Sequence, residues 1–76
     1  MKLFINHKRA IADLLTNCEL TIQKDGRYKG KEHHSAVTVE QLIRNGYADI
    51  HTRSSEGRIL SVMPTEKAVY LIPVSA

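Results

Sequence analysis

The residue types able to do chemistry are present in this chain but scattered. His7, Cys18, His33, His34 and His51 are the side chains suited to holding a transition metal. His33 and His34 are adjacent within the polar stretch KDGRYKGKEHHS, and none of the five repeats the paired spacing of a zinc site. Asp13, Glu19, Asp49 and Glu66 would make acid–base pairs only if a fold brought them together. There is no glycine-rich phosphate loop, no HExxH, and no Ser-His-Asp set at a supporting spacing. So short a chain also offers little wall for a substrate pocket. The expectation is a protein that is not an enzyme and uses no metal and no cofactor. Cys18 is alone, so it cannot close an internal disulfide; it reads as a small buried side chain rather than a nucleophile. A reducing, cytoplasmic setting fits a single thiol.

Whatever function remains must be carried by binding, and the elements that would position it are limited. Seventy-six residues make one domain. Such a domain buries only about 60–65% of its unfolded surface. With one Phe, no Trp and three Tyr, its core must rest on Leu, Ile and Val. A homodimer would enlarge that core and is expected. Lys and Arg number 11 against 8 Asp and Glu, a formal charge of +3. All of the excess lies in residues 1–34, while residues 35–76 are neutral. The opening KLFI is too short for the apolar region of a signal peptide, and no run approaches the ~20 apolar residues of a membrane span.

Asn6 is placed to cap a first helix over about 7–17, with Ile11, Leu14, Leu15 and Cys18 on one stripe and His7 a turn earlier. LTIQKDGRYKG reads as a hairpin. A two-residue Asp25-Gly26 turn would pair Ile22 with Lys29. A three-residue Lys24-Asp25-Gly26 loop pairs Ile22 with Tyr28 and gathers the apolar groups, so it is preferred. SAVTVEQLIRNG is a second helix, about 36–45, capped by Ser35 or by Thr38. Its inward stripe is Val39, Leu42 and Ile43. Gly46 stands where the chain must take positive φ, and Tyr47 can pack back on the helix. YADIHTR and RILSVMP form a longer hairpin around Ser55-Glu56-Gly57, pairing Ile50 with Val62 and Thr52 with Leu60. That register puts Ala48, Ile50, Leu60 and Val62 on one face and leaves Ile59, Ser61 and Met63 on the other. Thr65-Glu66 opens a short final helix, with Ala68, Leu71 and Ile72 inward, although VYLI also suits a strand. The polar KDGRYKGKEHHS segment is the best candidate for mobility.

TVEQLIRNGYADI, RSSEGRILSVM and PTEKA together resemble the second half of winged-helix DNA-binding domains: a helix stopped by glycine and an aromatic residue, a β-wing with charged residues and glycine at its tip, and a Thr-Glu helix start. The resemblance covers residues 37–72 and implies a small α+β, winged-helix-like domain: helix, hairpin, helix, β-wing, short C-terminal helix. Pro64 stands where the family usually has leucine, and no glycine follows Lys67. A hairpin replaces the helix that the family packs across its recognition helix. The resemblance implies binding of double-stranded DNA and a role in transcription regulation. The recognition face would be Thr38, Gln41, Arg44 and Asn45, with Gln and Asn suited to adenine and Arg to guanine. Arg53 and Arg58 on the wing, with Lys29 and Lys31, would meet phosphates. The alternative is a protein-interaction or homodimeric regulatory module without DNA, using the apolar outward residues Val37, Ile59 and Met63.

Overall fold

A computed structural model of the chain describes residues 2–71. The elements run α1 (Ile5–Asn17), β1 (Leu20–Ile22), β2 (Tyr28–Lys29), β3 (His33–His34), α2 (Ala36–Arg44), β4 (Ala48–Arg53), β5 (Ile59–Pro64) and α3 (Glu66–Leu71). Among the described residues the three helices accompany one antiparallel sheet of five strands, ordered β3-β2-β1-β5-β4. This is a small α+β domain. No helix among the described residues is long and apolar enough to cross a membrane.

Helix α1 starts before the expected Asn6 cap. Phe4 is its N-cap and has no side-chain oxygen to offer. Instead the Phe4 N–H donates to His7 Nδ1 at 3.0 Å, which supplies half of a capping box. Asn6 is thereby released to donate from Nδ2 to Thr38 Oγ1 at 2.9 Å, tying α1 to α2. His7, Ala10, Ile11, Asp13 and Leu14 are buried. Cys18 is not the buried side chain expected. It takes a left-handed conformation with φ 63° to end the helix, and is exposed. Leaving helical geometry rotates it off the stripe that Ile11 and Leu14 occupy.

Both hairpins close as three-residue loops. Gln23 N–H reaches Arg27 O at 2.8 Å, and Ser54 N–H reaches Arg58 O at 2.8 Å. Gly26 and Gly57 take φ near +88° and +87°. In the first hairpin Ile22 faces Tyr28, the preferred register. In the second, Ile50 faces Val62 as expected, but Thr52 faces Ser61 rather than Leu60, and Arg53 faces Ile59. The ladder is therefore offset at His51 on one strand and at Leu60 on the other, and returns to register at the tip. Such irregularities reverse which side chains reach the core. Ile59 packs on the core, while Leu60 is 39% exposed. Ser61 is buried with its hydroxyl 2.6 Å from that of Thr52.

Ser35 caps α2: its Oγ accepts the Thr38 N–H at 3.2 Å. Val39 and Leu42 are fully buried, with Ala36 and Ile43 packed alongside. At the other end Gly46 N–H bonds Ile43 O at 3.2 Å and Tyr47 N–H bonds Leu42 O at 2.9 Å, the paired bonds of a Schellman stop. Gly46 has φ +81°. A Cβ there would meet nothing closer than Lys67 Cδ at 3.7 Å, so the strain of Gly46→Ala is conformational. We expect a loss of about 1–2 kcal/mol in a denaturant titration; an unchanged midpoint would show that the stop is not needed.

The corner after β5 clamps this stop. The Thr65 hydroxyl donates to Gly46 O, and Lys67 Nζ donates to Asn45 O at 2.7 Å while lying 4.5 Å from the Tyr47 ring centre. The final segment is helical rather than extended, and Ala68 is buried. The Leu71 side chain and Ile72 lie outside the described residues.

Directly paired residues share a face of a sheet. The row His33, Lys29, Thr21, Ser61 and Thr52 crosses the sheet on the side away from the core. The rows containing His34, Tyr28 and Ile22, and Leu20, Val62 and Ile50, lie on the helix side.

Candidate nucleic-acid interface

The four α2 residues of the expected recognition face do not share one exposed surface. Thr38 is only 5% exposed, its hydroxyl held between Asn6 and Ser35. Capping at Ser35 fixes this, because it rotates Thr38 toward α1. Gln41 is exposed, but its Oε1 lies 2.6 Å from His7 Nε2. Because His7 Nδ1 already accepts the Phe4 N–H, the neutral ring carries its proton on Nε2 and donates it to Gln41. Asn45 is half-buried and donates from Nδ2 to Gln41 O at 2.8 Å. Arg44 is exposed. The exposed stripe of α2 is Val37, Glu40, Gln41 and Arg44, one acid and one base.

The other predicted contacts divide between surfaces. Lys29 projects from the helix-free face of the sheet. Lys31 is exposed, with its backbone N–H turned to Asp13. Arg53 donates to Gly57 O at 2.8 Å and so braces its own loop. Arg58 is exposed and makes no side-chain bond among the described residues. Val37 and Met63 are exposed on opposite sides of the sheet, and Ile59 packs on the core, so the three do not form one apolar patch.

What the fold does bring together is the two hairpin loops. Antiparallel pairing of Leu20 with Val62 and Thr21 with Ser61 sets β1 beside β5, so the loops emerge side by side. Between them lies a groove of about 480 Å³ on the helix side of the sheet. Ile22, Tyr28, Ile59 and Leu60 line its floor; Lys24 and Arg58 stand on its rim, and Glu40 of α2 closes one end. Burial, with the Glu40 charge second, raises the Tyr28 phenol above its ordinary value. Lys24, like Arg58, is exposed and makes no side-chain bond among the described residues. The third loop base, Arg27, is paired with Asp25 at 2.8 Å. Lys24 lines this groove although sequence reasoning did not select it. Its only signal was its position in a loop whose neighbour in space is 30-odd residues away in sequence.

A second cluster was missed entirely. Asp13 is 6% exposed, yet its carboxylate accepts the N–H of Lys31 at 2.8 and 3.0 Å, the N–H of Glu32 at 2.9 Å, and His34 Nε2 at 2.8 Å, with Asn17 Nδ2 also bound. Burial alone would raise its pKa. The two backbone donors and His34 outweigh that effect and hold the carboxyl below its usual range. This clasp orders the segment expected to be mobile and makes His33–His34 a strand. With its acceptor sites filled, Asp13 acts as a fastening. Among the described residues no group of three or more His, Cys, Asp or Glu side chains is placed to hold a metal. His51 instead lies 2.6 Å from Glu19 on the surface. No family model, curated protein or solved structure matches the chain.

Proposed function

We propose that this chain is a non-enzymatic, winged-helix-like regulatory domain that binds double-stranded DNA mainly through phosphate contacts. The observation that carries the reading is the pair of adjacent hairpin loops, whose exposed Lys24 and Arg58 make no side-chain bond among the described residues; the exposed Arg44 of α2 is a third free base. The order of α2, glycine-aromatic stop, long hairpin and Thr-Glu helix supports the winged-helix part of the reading. Because Thr38 is buried and Gln41 and Asn45 are partly engaged, little base-edge readout is left. Sequence discrimination should rest on Arg44, and Glu40 on the same stripe limits affinity.

Titration with random and genomic duplexes at low and physiological salt tests this. Three phosphates neutralised by Lys24, Arg44 and Arg58 give a slope of log affinity against log salt of about −3. Arg58→Ala should weaken all duplexes alike and reduce that slope by about 1. Absence of binding at low salt would end the proposal. Chemical-shift changes confined to Lys29 and Lys31 would place the DNA on the wrong face and do the same.

A further inference from the structure

The floor of the inter-hairpin groove is unsuited to phosphate, and it points to a use that the charged rim alone does not. We infer that this groove docks a short segment of another protein, with two or three apolar side chains followed by an acidic residue. The inference shares Lys24 and Arg58 with the DNA reading but does not rest on it, since it stands on the apolar floor and on where the rim charges lie.

Three observations build it. The first is the irregularity in the β4–β5 ladder. A regular register would turn Leu60 into the core; the offset instead leaves it 39% exposed beside Ile59 and Ile22. Bulges commonly re-aim one side chain in this way. The second is size. An apolar cavity of about 150 Å³ accepts one benzene-sized group, so 480 Å³ open to solvent has room for about three aliphatic side chains. The third is the charge pattern. Both cations on the rim, Lys24 and Arg58, are at the hairpin loops, and the one acid, Glu40, is at the α2 end. The other loop arginines are occupied, Arg27 by Asp25 and Arg53 by Gly57 O. The two unoccupied cations therefore face whatever enters. An acidic residue at the loop end gains both of them, and a basic residue there is repelled. A nucleic-acid strand would satisfy the rim but leave the apolar floor against phosphate and sugar.

The test uses the full chain, nitrogen-labelled, and three synthetic capped hexapeptides. One has leucines and isoleucine followed by two aspartates. The second has lysines in place of the aspartates, and the third has serines in place of the apolar residues. Expected are saturable shifts at Gly26, Tyr28, Arg58 and Leu60 with the first peptide only. The lysine peptide should bind at least about fivefold more weakly, as rim charges typically discriminate. Leu60→Ser changes a partly exposed side chain and should weaken the first peptide about tenfold, with the melting transition kept as a check on folding. The double variant Lys24→Glu, Arg58→Glu should reverse the preference toward the lysine peptide.

Equal binding of the acidic and lysine peptides would overturn the inference, as would no shift in the groove at millimolar peptide. Groove shifts that grow with protein concentration alone would assign the floor to a second copy and also overturn it. Groove-floor shifts caused by duplex DNA, with DNA displacing the peptide, would give the groove to nucleic acid. Peptide binding without any duplex binding would end the DNA reading and leave this one standing.

Discussion

Replacing Asp13 by alanine is expected to remove about 3–5 kcal/mol of stability, the loss typical when one partner of a buried charged cluster is deleted. A chain of this size has only about 4–11 kcal/mol in total, so the loss is a large share of it and unfolds the variant partly at ambient temperature if the total lies near the lower end. The reason is the set of donors left behind. The Lys31 and Glu32 N–H groups and His34 Nε2 all converge on this one carboxylate. Each buried donor without an acceptor costs about 1–3 kcal/mol. Urea titration gives the overall loss, and hydrogen exchange at Lys31, Glu32 and the β2–β3 pairs locates it. A loss below about 1 kcal/mol with β3 still protected would show that the clasp is dispensable. The clasp also predicts an acid limb. The Asp13 carboxyl is held below its ordinary value of 3.8. Its contribution is therefore complete above that value and is lost as pH falls through the lower folded-state pKa, because the unfolded chain takes up the proton first. That part of the acid limb should be missing in Asp13→Ala.

Gly30→Ala is expected to cost about 2–3 kcal/mol through overpacking. A Cβ at Gly30 would lie 2.6 Å from both Asp13 Oδ1 and Leu20 Cδ2, and 2.8 Å from Asp13 Cγ. Neither neighbour can yield easily. Leu20 is fully buried, and the carboxylate is held by its donors. Either the carboxylate moves and loses those bonds, or the β2–β3 loop lifts from α1. The two substitutions should be non-additive, since removing the Asp13 carboxylate removes two of the three close contacts. A double variant costing the full sum of the singles would show that the crowding comes from Leu20 alone. Full stability in Gly30→Ala would show that the loop does not sit against α1 as described.

How much of this was legible depends on the distance over which each feature is decided. The loops closed by Gly26 and Gly57 and the Gly46-Tyr47 stop follow from backbone geometry within about six residues. Each was readable because positive φ narrows the choice of residue locally. The final helix, Glu66–Leu71, was favoured from Thr65-Glu66, while the strand preference of VYLI left the alternative open. The binding residues proved harder. Ser35 and Thr38 were both plausible caps from sequence, and the choice between them decides whether Thr38 faces solvent or α1. Its partner Asn6 lies 32 positions away, and Gln41 is engaged by His7 at a separation of 34. The strand at His33–His34 depends on Asp13, 18 to 21 positions earlier, because a polar segment with no apolar pattern is ordered only when something buried accepts its N–H groups. Lys29 was assigned to the DNA side, yet strand alternation and the pairing with Thr21 put it on the far face of the sheet. Leu60 left the core through an offset in the ladder that no glycine or proline announces. Apart from β3 and the ends of α1, the sequence alone therefore determined the succession of elements and the glycine stops between them, which are local events in the chain. The faces of those elements that remain open for binding were decided by tertiary pairing, because burial of a polar group requires a partner and the partner lies far along the chain.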